Sequence, residues 1–146
     1  MITAVDTNIL IDILEPDPVF GLSSKEALKR CLKDGAVVAC EVVWAEVAVA
    51  YAEAEEVLVD TLKQMGIQFS PIDLEAALMA ARCWAEYLRQ GPKRGRKRRI
   101  AADFLIGGHA LIQCDRLLTR DKGFYRKYFK DLEAINPSKM LGETAT

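Results

Sequence analysis

Short apolar runs alternate along the chain with longer segments whose apolar residues recur every three or four positions. The short runs favour buried strands, and the helical spacing favours amphipathic helices. We predict strands at 2–5, 36–39, 67–69 and 117–119, with a possible edge strand at 132–135. Alternating strands and helices predict a parallel sheet covered by helices on both faces.

Several predicted helices begin at residues that commonly cap helix N-termini. Thr7 or Asn8 is predicted to cap the first helix, and Ser23 with Glu26 forms a candidate capping box for the second. Asp73 is predicted to cap a long amphipathic helix that ends before Gly91-Pro92. Further helices are predicted at 42–52, from there to Met65, at 100–112 and at 123–129.

A chain of 146 residues is long enough for one domain with a core and too short for two. We predict a single domain over 1–136, and a flexible tail over the polar segment 137–146. The hydrophobic content of 51% indicates a folded protein. With a net charge of −1, attraction to nucleic acid has to come from local patches.

Cysteine and histidine usage argues against a zinc site. The four cysteines, at 31, 40, 83 and 114, form no C-x-x-C pair, and His109 is the only histidine. Cysteines inside apolar runs act as small hydrophobic residues in a reducing compartment. We find neither a signal peptide nor an apolar stretch near the roughly 20 residues of a membrane span. The sequence therefore predicts a cytoplasmic protein without a membrane partner.

Four carboxylates stand in or directly after apolar stretches: Asp6, Glu46, Asp103 and Asp121. Glu46 is the only charge in 42–50, and Asp103 is the only acid in 100–106. A buried carboxylate without a partner costs several kcal/mol. Four such residues spread over the chain suggest one shared partner, and a divalent metal ion is the simplest.

The predicted topology lets these acids converge. Ligands of open parallel sheets bind beyond the carboxyl ends of the strands. Asp6 and Asp121 directly follow strands, while Glu46 and Asp103 lie near the starts of helices. Clustered carboxylate oxygens suit Mg²⁺ or Mn²⁺, which can activate a water and neutralise charge during phosphodiester hydrolysis, as one ion or as two.

Four segments, taken in order, resemble a PIN domain, and more closely a VapC-type toxin ribonuclease of a toxin–antitoxin pair. They are the N-terminal Val5-Asp6-Thr7-Asn8-Ile9, the apolar helix around Glu46, Ala102-Asp103-Phe104-Leu105-Ile106, and Leu118-Thr119-Arg120-Asp121-Lys122-Gly123-Phe124-Tyr125. The resemblance covers about residues 2–136. It implies a PIN-like three-layer α/β/α sandwich with a central, mostly parallel sheet of four to five strands.

The resemblance also implies a function. It assigns metal-dependent RNA cleavage with Mg²⁺ or Mn²⁺ to Asp6, Glu46, Asp103 and Asp121, as metal ligands and catalytic residues. It implies that Thr7 or Asn8, and Thr119, orient the acids or the substrate. It further implies a cognate antitoxin protein as partner and a two-fold homodimer.

A basic run precedes the helix that carries Asp103. Because this places it near the acids, we predict contacts to RNA phosphates from five residues: Arg94, Arg96, Lys97, Arg98 and Arg99. The run is longer than the family core requires, so the resemblance assigns it no role. An acidic protein partner, or a solvated loop, remains an alternative.

Simpler interpretations stay open for single residues. Asp6 can be a helix cap, Asp103 a first-turn acid favoured by the helix dipole, and Asp121 a turn residue. Asp12 is interpreted as solvated or salt-bridged, and His109 as a packing histidine. Gly107-Gly108 indicates close helix packing, for which a dimer surface is one candidate.

Two other functions fit the α/β pattern. A phosphatase with Asp6 as the nucleophile usually carries a second acid two residues later, but position 8 is Asn. A phosphoacceptor receiver domain needs paired acids after its first strand and leaves Glu46 and Asp103 unexplained. A PIN domain that binds without cleaving is a third alternative.

Overall fold

A parallel sheet of five short strands forms the centre of the protein, of which the computed structural model describes residues 1–91 and 99–142. The sheet order is β3-β2-β1-β4-β5, and all neighbouring strands are parallel. The strands are β1 Ile2–Val5, β2 Ala36–Ala39, β3 Ile67–Phe69, β4 Arg116–Leu118 and β5 Ala134–Ile135. The predicted strands are thus confirmed, although the edge strand β5 is shorter than predicted.

Helices connect the strands and flank the sheet, which confirms the α/β architecture. In the described part of the chain they are α1 Thr7–Leu14, α2 Gly21–Asp34, α3 Glu41–Ala50, α4 Glu55–Gln64, α5 Leu74–Arg89, α6 Ala101–Gln113, α7 Lys122–Tyr128 and α8 Pro137–Gly142. No helix within 1–91 and 99–142 is both long and apolar enough to cross a membrane.

The caps of the first two helices differ from the prediction. The carboxylate of Asp6, rather than Thr7 or Asn8, caps α1 by accepting the backbone N–H of Thr7 at 2.8 Å. The predicted Ser23–Glu26 capping box is wrong, because α2 already begins at Gly21. The prediction for α5 is confirmed: Asp73 accepts the backbone N–H of Ala76 at 2.8 Å.

The prediction of a loose tail is wrong for Pro137–Gly142, which form helix α8. The helix packs against α2, and Arg30 of α2 donates a hydrogen bond to the carbonyl oxygen of Met140 at 2.9 Å. The side chain of Met140 joins the hydrophobic core. Because polar residues precede Met140, the sequence does not indicate this contact. Residues 143–146 lie outside the described part.

Two adjacent glycines let α6 pack closely inside the monomer. A Cβ atom at Gly107 would lie 2.5 Å from the Phe129 ring, and one at Gly108 would lie 2.5 Å from the carbonyl oxygen of Ala76 in α5. Both glycines are buried. This confirms the close packing predicted for Gly107-Gly108 and removes them from any dimer surface.

Candidate active site

The site lies where the chain reverses its direction through the sheet. From β1 the chain proceeds outward to β2 and β3, whereas β4 and β5 lie on the other side of β1. Val5 and Leu118 are register partners, and the backbone N–H of Asp6 donates to the carbonyl oxygen of Leu118 at 3.0 Å. Asp6 and Thr119 therefore leave adjacent strands at a topological switch point, where open α/β sheets bind their ligands.

Asp6 is held at this point by donors from three parts of the chain. Its Oδ1 accepts the backbone N–H of Thr7 at 2.8 Å. Its Oδ2 accepts the hydroxyl groups of Thr119 at 2.7 Å and Tyr125 at 3.3 Å, and the amide of Asn8 at 3.4 Å. With 6% of its surface exposed, Asp6 is a fixed and almost fully buried carboxylate.

Burial and nearby acids both oppose the negative charge of Asp6. Burial is the larger cause, and the charges of Asp103 and Asp121 add to it, so the pKa of Asp6 rises to about 6. The hydrogen bonds from Thr119 and Thr7 act in the opposite direction. The three aspartates thus lie within electrostatic reach of one another.

Glu46 reaches the same region from α3. Its Oε1 accepts the hydroxyl of Thr7 at 2.8 Å, and the backbone N–H of Thr7 donates to Asp6. Thr7 therefore bridges the first and second predicted acids. No salt bridge among the described residues pairs Glu46 with an arginine.

Asp121 and Asp103 complete the group from the two sides of β4. The backbone N–H of Asp121 donates to the hydroxyl of Thr119 at 2.9 Å, so Thr119 links Asp121 to Asp6. Asp103 lies in the first turn of α6, where its carboxylate accepts the backbone N–H of Ile100 at 3.3 Å. The helix-start interpretation of Asp103 is therefore compatible with its place beside Asp6.

Arg99 enters the acidic group as a cation. Its guanidinium donates to both carboxylate oxygens of Asp121, with a distance of 3.1 Å from Nη2 to Oδ1, and lies 4.4 Å from the centre of the Phe124 ring. Burial acts to lower the pKa of Arg99, but the hydrogen bonds to Asp121 and the charges of Asp121 and Asp103 together raise it. Arg99 thus neutralises part of the acidic group.

The donor set suits a hard divalent cation with a partly hydrated shell. All four acids offer oxygen, the ligand that Mg²⁺ and Mn²⁺ prefer. Among residues 1–91 and 99–142, however, no three Asp, Glu, His or Cys side chains are arranged to hold one ion directly. Mg²⁺ usually keeps several waters and contacts one or two carboxylates, so the buried Asp6 and its neighbours fit that mode.

A salt bridge beneath the site fixes the turn that carries Asp121. Arg120 donates from Nε and Nη2 to Asp12, at 2.7 and 3.0 Å, and its guanidinium lies 4.1 Å from the Phe20 ring centre. Asp12 is 3% exposed and also accepts the hydroxyl of Ser24. This confirms the salt-bridged interpretation of Asp12 and joins α1, α2 and the β4–α7 turn.

A sequence model of the PIN domain matches residues 3–130. The chain belongs to the PIN-domain family. No curated protein matches this PIN domain in sequence. The match spans all four acids and supports the resemblance drawn from the sequence.

Solved structures share the fold over almost the whole chain. VapBC2 from Rickettsia felis, solved with a DNA fragment from its promoter, is similar with a TM-score of 0.70 and 19% identity, covering 93% of this chain and 98% of that chain. FitAcB from Neisseria gonorrhoeae has a TM-score of 0.66 and 25% identity, with 94% and 98% covered. VapBC-1 from nontypeable Haemophilus influenzae has a TM-score of 0.67 and 18% identity, with 94% and 99% covered.

The PIN domain brings most of the predicted site residues together. The polar residues Thr7, Asn8 and Thr119 donate hydrogen bonds to acids of the site, and their orienting role stays a prediction. Of the basic run, Arg99 lies at Asp121, while Arg94, Arg96, Lys97 and Arg98 lie outside the described residues. The catalytic and RNA-binding roles of these residues stay predictions.

The contact between Tyr125 and Asp6 was missed in the sequence. Tyr125 belongs to the fourth PIN-like segment, and its hydroxyl reaches Asp6; burial raises its pKa well above the ordinary value, so it remains a donor. Its position four residues after Asp121, on one helical face, was the available signal. His109 is buried and shares a 2.9 Å hydrogen bond with the hydroxyl of Ser70, as expected for a packing histidine.

Proposed function

We propose that this PIN domain is a metal-dependent endoribonuclease and the toxin of a VapBC-like toxin–antitoxin pair. The observation that carries the proposal is the buried carboxylate of Asp6 at the switch point, with the charges of Asp103 and Asp121 acting on it. A divalent cation would relieve the repulsion that this arrangement creates. The family match favours this function over the phosphatase and receiver alternatives.

Asp6, Glu46, Asp103 and Asp121 would hold Mg²⁺ or Mn²⁺. A bound ion supplies a water of lowered pKa and neutralises charge on the phosphate that is cleaved. Thr119 and Tyr125 hold Oδ2 of Asp6 in place, and Thr7 holds Oε1 of Glu46. The rotamers of these carboxylates are therefore set before an ion or a substrate arrives.

Arg99 supplies a positive charge at Asp121, where its guanidinium donates to both carboxylate oxygens. A divalent ion held by Asp121 would compete with this guanidinium for the carboxylate. Arg99 directly follows the rest of the basic run in the sequence. We propose that this run contacts RNA phosphates. Release of Arg99 from Asp121 would leave a positive charge beside the substrate.

An antitoxin partner is supported by the similar structures. The names VapBC2, VapBC-1 and FitAcB each combine two components. The match to this chain covers at least 98% of each matched chain. We propose that a cognate antitoxin binds this domain and restrains its activity. A cytoplasmic location, together with the RNA substrate, belongs to the same proposal.

Helix α5 offers a surface for the proposed homodimer. Five of its exposed residues follow a spacing of four and three positions, which places them on one stripe of the helix: Leu74, Leu78, Ala81, Ala85 and Leu88. Exposure reaches 74% for Leu74 and 54% for Leu88. An apolar stripe of this length is a suitable contact for the same stripe of a second copy.

Metal removal and restoration test the proposed activity. Pure protein is incubated with a labelled single-stranded RNA in Mg²⁺, in Mn²⁺, in excess chelator, and in chelator followed by excess metal. We expect cleavage with either metal, loss of cleavage with chelator, and recovery after metal is restored. Undiminished cleavage in excess chelator would contradict the proposal.

A further inference from the structure

A strongly basic cavity lies on the β5 side of the sheet, between α2, α7 and α8. Its volume is about 370 Å³. Five cationic side chains line it: Arg30, Arg116, Lys122, Arg126 and Lys139. Asp34 and Glu133 are the acidic lining residues, which leaves an excess of three positive charges. In a chain whose net charge is −1, this is a marked local concentration of positive charge.

Two of the arginines are fixed before any ligand binds. Arg116 is 8% exposed, and its guanidinium donates to the hydroxyl of Thr3 and to Asp34, both at 2.9 Å. Arg30 donates from Nη1 to the carbonyl oxygen of Met140 at 2.9 Å. A guanidinium has five N–H donors, so both arginines keep donors beyond these contacts. The cavity therefore has a prearranged cationic wall.

The cavity begins one residue from the acidic group. Lys122 directly follows Asp121, and Lys122 and Arg126 are four residues apart, on one face of α7. Consecutive Cα atoms are about 3.8 Å apart. A nucleic-acid strand whose phosphate reached Asp121 would therefore pass close to the end of the cavity that Lys122 lines.

We propose that this cavity binds a backbone phosphate of the RNA substrate, next to the phosphate that is cleaved. The inference rests on the proposed ribonuclease function and adds a substrate contact to it. Arginine guanidinium groups suit phosphate oxygens through paired hydrogen bonds. The position beside Asp121 favours a ligand that extends from the acidic group, which RNA does and an isolated anion does not.

The test uses the two exposed cations of the cavity wall for which no ion pair is seen among the described residues. Arg126→Gln and Lys139→Gln are combined, and the control combines Lys25→Gln with Lys63→Gln, which removes the same charge from α2 and α4 outside the cavity. Both pairs are built on Asp103→Asn to prevent cleavage. Binding of a labelled single-stranded RNA is measured by anisotropy in Mg²⁺ at several salt concentrations, and thermal unfolding checks the fold.

We expect the cavity variant to weaken RNA binding and to lower the slope of log affinity against log salt by about 1.4, since each lost contact to a single strand contributes about 0.7. The control pair should keep the parent slope. An equal slope in the cavity variant and its parent would overturn the inference. So would unchanged RNA binding combined with lost binding to an acidic protein partner.

Two further arms separate the possible ligands and the two proposals. Inorganic phosphate alone should compete with RNA only weakly, because RNA adds contacts at the acidic group; competition as tight as RNA binding would overturn the assignment to RNA. Cleavage by the wild-type protein reports on the proposed function separately. A lowered slope without wild-type cleavage would support RNA binding in the cavity and contradict the nuclease function. Wild-type cleavage with an unchanged slope would support the nuclease function and contradict RNA binding in the cavity.

Discussion

At the scale of single residues, the structure keeps a carboxylate where its charge is unfavourable. Asp6 is buried, receives hydrogen bonds from Thr119 and Tyr125, and feels the charges of Asp103 and Asp121. A helix cap alone would not require these surroundings, because a cap is satisfied by the single bond from Thr7. The local environment instead prepares Asp6 for a positive ligand.

The raised pKa of Asp6 gives a stability prediction for the metal-free protein. The folded state holds this proton more tightly than the unfolded state, so the stabilisation from protonated Asp6 is present below pH 3.8 and lost as pH rises through about 6. The difference corresponds to about 3 kcal/mol. We expect urea unfolding to show this loss between about pH 4 and 6, and Asp6→Asn to reduce it. An equal pH dependence in both proteins would contradict this prediction.

Arg99 provides a second prediction at this scale, on metal affinity. Arg99→Gln removes the cation that competes for Asp121, so Mn²⁺ should bind more tightly, by roughly fivefold or about 1 kcal/mol. Calorimetric titration with Mn²⁺ measures the change. Arg89→Gln is the matched control, since Arg89 pairs with Glu86 on the exposed side of α5. Weaker Mn²⁺ binding by the Arg99 variant would show that Arg99 supports the ion instead.

At the scale of elements, the site depends on how the β4–α7 turn is attached to α1 and α2. The pair of Asp12 and Arg120 joins all three, and Ser24 completes the bonding of Asp12. Asp121 follows Arg120 directly, so the position of this acid is set by a salt bridge on the opposite side of the turn. The contact accounts for the buried carboxylate of Asp12 in α1, which is not one of the four acids of the site.

Breaking this pair should affect both stability and activity. Asp12→Asn leaves the largely covered guanidinium of Arg120 without its anion, and we expect a loss of about 2 kcal/mol in the free energy of unfolding. RNA cleavage should fall about tenfold, because Asp121 is held less precisely. Glu86→Gln breaks an exposed pair and should cost at most about 1 kcal/mol. Equal effects of the two variants would exclude a positioning role for Asp12.

Elements with a continuous apolar signal could be predicted from the sequence, and elements that depend on distant partners could not. The inner strands are mostly buried, so each contains a short apolar run. Helix α8 could not be predicted because its buried residues Pro137 and Met140 are separated by exposed polar ones and pack on the distant helix α2. The acids could be placed because chain order and strand ends determine their common edge. The ion pair of Arg99 with Asp121 could not be predicted, since the two residues lie 22 positions apart.

At the scale of the whole molecule, the described residues of the chain leave the apolar stripe of α5 uncovered. Its side chains lie on the side away from α6 and the core, which suits the contact with a second copy that we propose. The two glycines of α6, by contrast, are buried by packing within the monomer. The proposed self-association surface therefore differs from the one that the sequence suggested.

Charge on the stripe should separate the proposed dimer. Leu78→Glu places a carboxylate in the middle of the apolar contact, so light scattering at micromolar concentration should show a dimer for the wild type and a monomer for the variant. Leu22→Glu is the control, as Leu22 is 75% exposed on α2. A wild-type monomer, or a dimer that tolerates Leu78→Glu, would exclude this surface.

The central claim is that the acids at the switch point act together in metal-dependent RNA cleavage. The most direct measurement compares Asp103→Asn with Asp60→Asn, which changes an exposed acid of α4 away from the site. Cleavage of one labelled RNA in Mg²⁺ and thermal unfolding are recorded for both. We predict that Asp103→Asn abolishes cleavage while the protein stays folded, and that Asp60→Asn cleaves like the wild type. Full cleavage by folded Asp103→Asn would contradict the account.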